Sequence, residues 1–234
     1  MSAIYKRELR ASFSSMISYI FLAAFVLAES VLFYILYSNG STSVYAIPFS
    51  YPLYMTVFLL PLLTMRSISE DRRLKVDQVL LTAPVKVSAI VLGKFFSYVT
   101  IYALAFLPTL IFQIIVSYYQ SLNWLIYLYA MLGTVLFGAV LISIGIFISS
   151  LTESTVISAI LTIVVNLVIM FIADLAGMIG VSWLTKASEK IALFQVYSNF
   201  STGVFRITDI VYFLSITALF LYLSVRSMEK RRWA

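Results

Sequence analysis

Cysteine and histidine are both absent from these 234 residues. Thiol and imidazole nucleophiles, haem ligation and Cys/His metal sites therefore have nothing to be built from. A phosphate-binding loop needs a glycine-rich run closing on Gly-Lys-Ser/Thr. Here Gly93-Lys94 is followed by Phe95, and position 88 is Ser, so the pattern fails. Two kinds of reactive or recognising group remain. One is a charged run, Arg66-Ser67-Ile68-Ser69-Glu70-Asp71-Arg72-Arg73-Leu74-Lys75-Val76-Asp77-Gln78, suited either to docking on a charged partner or to a solvated loop. The other is a set of polar groups inside apolar stretches, Glu29 and Asn166. Glu29 lies about 12 residues into its stretch, or ~18 Å at 1.5 Å per residue. A carboxylate at that depth must be paired, protonated or facing an aqueous path. It is a candidate proton or cation site, and a neutral packing group is the plainer alternative.

The elements that must carry these groups are set by hydrophobicity. Residues 95–152 contain no Asp, Glu, Lys or Arg, and the chain is 62% hydrophobic with a mean hydropathy of +1.01. A spanning helix needs roughly 20 apolar residues, so 95–152 hold two spans and a turn. Six spans are expected in all, at 17–37, 49–65, 90–118, 125–151, 155–176 and 210–225, in one helical domain covering 1–234. Asn39-Gly40-Ser41 and Gln120-Ser121-Leu122-Asn123 supply turns. Pro61 and Pro108 fall inside spans, where neighbouring helices can re-satisfy the freed carbonyls. The expected class is an all-α membrane protein without internal repeats.

Residues 2–16 read as an interfacial helix, with Tyr5, Leu9, Phe13 and Met16 on one face and Lys6, Arg7, Arg10 and Ser14 on the other. Its basic face would meet lipid headgroups. Residues 177–208 are less hydrophobic and suit short helices at the opposite interface. Thr208-Asp209 is a candidate cap for the last span. Ser69 before Glu70 and Asp71 is a helix-start signal, and Pro84 a stop. Ala130, Thr134, Gly138 and Gly145, with Ser149 beyond, place small residues at helical spacing, which lets helices approach closely, within the chain or across a subunit interface.

All but Lys186, Lys190 and Arg206 of the 16 Lys and Arg lie in the N-terminal segment, in 66–94 or in the tail. With six spans these three regions share one side, and the positive-inside rule makes that side cytoplasmic. The net charge of +6 is thus a topology signal and not a nucleic-acid footprint.

The run Thr64-Met65-Arg66-Ser67-Ile68-Ser69-Glu70-Asp71-Arg72-Arg73, then Leu80-Leu81-Thr82-Ala83-Pro84-Val85 and Ile90-Val91-Leu92-Gly93-Lys94-Phe95, resembles the membrane subunits of type-2 ABC transporters. The nearest branch is the small six-span permeases that include the gliding-associated ones. Lys6-Arg7-Glu8-Leu9-Arg10 at the start, and Phe200-Ser201-Thr202-Gly203-Val204 with Asp209-Ile210-Val211-Tyr212-Phe213 near the end, are similar to that branch as well. The resemblance implies that 67–84 is a coupling segment seated on a separate ATPase, with Glu70, Asp71, Arg72, Arg73, Asp77 and Gln78 as contact residues. The sequence departs from the family pattern at two places: Lys75-Val76 stand where Gly-Thr is usual, and Gln78 where Glu is usual. The resemblance further implies an exporter in the cytoplasmic membrane of a prokaryote, with two ATPase copies and a second permease, identical or homologous. ATP and Mg would act in the partner, with no cofactor in this chain. Two other classes stay open on the residues alone: a secondary transporter using Glu29, and a membrane scaffold that moves nothing.

Overall fold

The computed structural model of the protein describes residues 2–38, 47–75, 86–118, 123–179, 193–204 and 206–232. Ten helices run along these described residues: α1 (Ser2–Ser14), α2 (Met16–Ser38), α3 (Ile47–Thr64), α4 (Ser69–Arg73), α5 (Val87–Ala105), α6 (Leu107–Ser117), α7 (Trp124–Leu151), α8 (Thr155–Ile179), α9 (Leu193–Ser201) and α10 (Ile207–Arg232). None of the described residues is in a strand. Five segments among them are long and apolar enough to cross a membrane: Met16–Ile35, Val87–Ser117, Trp124–Leu151, Thr155–Ile172 and Ile207–Lys230. The 18-residue α3, ~27 Å long at 1.5 Å per residue, occupies the place expected of the second span. Large apolar side chains such as Leu27, Ile111, Val156, Ile160, Val211 and Leu219 lie exposed around the bundle. Water would not tolerate that coat on a monomer, and a bilayer solvates it. The chain is an all-α membrane protein.

The central helix is α7. In its apolar window 72% of residues are buried, against 22% to 39% in the other four. It touches α3, α5, α8, α9 and α10. Small residues permit this crowding. A Cβ on Gly138 would enter the Tyr102 ring of α5, one on Gly145 would strike Thr64 of α3, and one on Gly133 would strike Phe200 of α9. Thr134 donates to the Ala130 carbonyl at 2.8 Å and shares a hydrogen bond with the Tyr197 hydroxyl at 3.1 Å. The stripe Ala130, Thr134, Gly138 and Gly145 therefore packs on α3, α5 and α9 of the same chain.

Three element boundaries differ from the expectation. The third span is not one helix. It breaks at Phe106, whose N–H bonds the Ala103 carbonyl at 3.2 Å. Pro108, two residues on, lacks an N–H and its ring displaces the carbonyl four residues back. The last span begins at Ile207, so Thr208 and Asp209 lie inside its first turn and do not cap it. Asp209 instead accepts a hydrogen bond from the Asn199 side chain at 3.0 Å, joining α10 to α9. The basic tail is also helical, because α10 runs on through Arg226 and Lys230 to Arg232.

Candidate functional site

The described part of the charged run folds as a turn and one short helix at the α1 end of the bundle. Thr64 ends α3, its hydroxyl donating to the Leu60 carbonyl at 3.1 Å, and Gly145 makes room for it on α7. Ser149, one turn further along α7, then fastens the turn. Its hydroxyl oxygen accepts from the Ile68 and Ser69 N–H groups, both at 3.0 Å, and its O–H faces the Met65 carbonyl at 3.2 Å. Two backbone donors that the turn would otherwise strand are satisfied by one side chain of another helix.

Helix α4 has five residues. Ser69 is its first helical residue, so the cap position falls to Ile68, which makes no side-chain cap bond. The Ser69 hydroxyl bonds back to the Met65 carbonyl. Glu70 and Asp71 occupy the first turn and Arg72 and Arg73 the last, matching the helix dipole at each end. The helix ends at Arg73, and residues 76–85, over which it was expected to run on to Pro84, lie outside the described residues. Leu74 closes it, and Lys75 has φ +57°, a left-handed conformation that glycine adopts without strain. Asp77 and Gln78 lie outside the described residues.

Asp71 points inward. Its carboxylate meets the Lys94 ammonium at 2.8 Å, and the same ammonium meets Glu8 of α1 at 3.1 Å. The Lys94 side chain is 3% exposed. Burial by itself would raise the Glu8 carboxyl, but Lys94 and the adjacent Arg7 outweigh it and hold Glu8 below the usual carboxylate range. Two further contacts seat α1 on α5. Gly93 lies under Ile4, so a Cβ there would come within 2.8 Å of it, and Tyr5 shares a hydrogen bond with Thr100 at 3.0 Å. Arg72 is buried as well. Glu70 pairs loosely with Arg66 at 3.8 Å, and both are partly exposed. The outward face of the segment is Arg73, Leu74 and Lys75.

The intramembrane polar groups stand apart from this cluster. Glu29 on α2 is 3% exposed, and neither carboxylate oxygen has a hydrogen-bond partner among the described residues. Asn166 on α8 is fully buried, and its amide has no hydrogen-bond partner among the described residues. Sequence reasoning missed Glu8 and Lys94 as a pair. The available signal was a lone lysine at the edge of the uncharged stretch 95–152, with an acidic residue on the apolar side of a basic helix.

The family model described as ABC-2 family transporter protein matches residues 35–225. That range holds α3 through α9 and most of α10, including the turn, Lys94 and Ser149. No curated protein matches the chain. With most of its length matched and its spans arranged around α7, the chain belongs to the ABC-2 transporter family, whose members are multi-pass membrane subunits of transporters.

Proposed function

We propose that the chain is the permease subunit of an ATP-driven exporter, and that a separate ATPase docks on the segment around α4. The observation that carries this is mechanical. A short charged segment presents Arg73, Leu74 and Lys75 outward while its other side is tied to three helices. Ser149 ties it to α7, and the Asp71–Lys94–Glu8 chain ties it to α5 and α1. A push on α4 is thus passed to the central helix and to the surface helix together. When ATP closes a pair of ATPase subunits, such segments move and the spans shift between access states. In this reading ATP and Mg act in the partner, and no residue of this chain does covalent chemistry. Arg73 and Lys75 are the contact residues. Asp71 and Arg72 belong to the attachment. Two ATPase copies and a second permease complete the transporter.

The charge asymmetry supports cytoplasmic termini, which puts α4 on the side where ATP is found. Purified in mild detergent from its own host, the chain should bring down an ATPase subunit, and the pair in vesicles should hydrolyse ATP faster than the ATPase alone. A chain that purifies without any nucleotide-hydrolysing partner contradicts the reading. The secondary-transporter alternative rests on Glu29, whose unpaired carboxylate makes it worth a direct test.

A further inference from the structure

Two adjoining cavities at the α1 end have the polarity pattern of a membrane lipid. The first, about 260 Å³, opens between α1, the start of α2, the turn after α3, α4 and α5. Its polar wall includes Glu8, Ser12, Ser15, Arg66, Glu70 and Lys94. The second, about 120 Å³, is apolar: Ile17, Ile20 and Phe21 of α2 face Leu59, Leu62 and Met65. Ile17 lines both, so the polar cavity abuts an apolar groove along the α2–α3 seam. Ile20 and Leu62 are exposed, which leaves the groove open to the acyl phase.

The charges select a headgroup. Glu8, Glu70 and Asp71 face Arg66 and Lys94, so the wall carries more negative than positive charge. Lys94 is committed to Glu8 and Asp71 at 3.1 and 2.8 Å. Arg66 and Glu70 are not committed to each other. They stand 3.8 Å apart, beyond the ~2.7–2.9 Å of a charge-assisted hydrogen bond. One guanidinium and one carboxylate are therefore available at the mouth. Anionic headgroups are drawn to basic pockets, and this one is not basic. A zwitterion with a phosphate and a primary ammonium satisfies both groups, phosphate on Arg66 and the Ser12 and Ser15 hydroxyls, ammonium on Glu70.

We propose that the two cavities bind one aminophospholipid of the phosphatidylethanolamine type, drawn from the leaflet nearest α1. Its headgroup lies between α1 and α4 and one acyl chain lies in the α2–α3 groove. The bound lipid touches the interfacial helix and α4 at once, so its occupancy holds them together.

Native mass spectrometry of the full chain in detergent tests this with no ATPase present, so the outcome is independent of the coupling reading. Phosphatidylethanolamine, phosphatidylcholine and phosphatidylglycerol with identical acyl chains are added in equal amounts. The ethanolamine lipid should be retained at least about fivefold over the other two, near 1 kcal/mol. Arg66→Gln with Glu70→Gln should erase that preference. Leu62→Trp, which fills the groove, should weaken retention of all three. These positions are partly exposed, so the fold should survive; if the double variant aggregates, each single change serves in its place. Glycerophosphoethanolamine, which lacks acyl chains, should not displace the lipid at equal concentration. Equal retention of the choline or glycerol lipid overturns the proposal. So does a preference that survives the charge variants, an unaffected Leu62→Trp, or displacement by the chain-free headgroup.

Discussion

Lys94 joins three elements through one ammonium group, and its removal strands two carboxylates. Lys94→Met should cost about 3–5 kcal/mol, the usual cost of breaking a buried pair from one side. Adding Glu8→Gln and Asp71→Asn should recover most of it, because the carboxylates then no longer need a counter-charge. Thermal unfolding in detergent reads both steps, and an unchanged Tm in the single variant would show that the cluster holds nothing. Because Glu8 is held below its ordinary value of about 4.3, its contribution is complete above that value. It is lost only as pH falls through the lowered one. The behaviour of Glu29 should be the opposite. Its carboxylate has no partner among the described residues to lose, so Glu29→Gln should leave Tm unchanged or higher and should preserve ATP-driven transport in vesicles. Loss of transport in well-folded Glu29→Gln protein would favour ion coupling. The depth of Glu29 in an apolar stretch was legible from the sequence. The Glu8–Lys94 contact was not, because it joins residues 86 positions apart and no local pattern encodes such a pairing.

At the scale of elements, the spans were readable to within a few residues at most ends because hydrophobic length alone sets them. The helix starts of the fourth and fifth spans fell within one residue of expectation. The short polar elements were less readable. α4 starts at Ser69 as anticipated, yet it ends at Arg73, where Lys75 turns left-handed. A lysine gives no local warning of that conformation. The role of Ser149 was also hidden, since a serine in a span reads as a small packing residue. Ser149→Ala should strand the Ile68 and Ser69 N–H groups at a cost of about 1–3 kcal/mol. Amide hydrogen exchange should then speed up at these two residues while α8 and α10 stay protected. Equal protection in the variant would mean that the turn is held by something other than α7.

For the whole molecule, composition carried most of what could be known, a helical bundle in a bilayer, and charge placement adds the expectation that its basic ends share one side. The absence of cysteine makes the orientation directly testable. Thr202→Cys, exposed beyond α9, should react with an impermeant thiol reagent added outside intact cells, and Ser14→Cys at the end of α1 should not. The reverse pattern would turn the topology over and remove α4 from the ATP-containing side. The central claim is that α4 and the residues after it receive an ATPase. Arg73→Glu with Lys75→Glu reverses the charge of the outward face and leaves Asp71, Ser149 and the packing of α7 alone. Exposed pairs contribute only ~0–1 kcal/mol each, so both charges are changed together. The measurement is the amount of ATPase co-purified with the inserted permease, together with ATP hydrolysis by the reconstituted pair. Both should fall about tenfold, equivalent to roughly 1.4 kcal/mol. Undiminished co-purification and hydrolysis in a normally inserted double variant would contradict it.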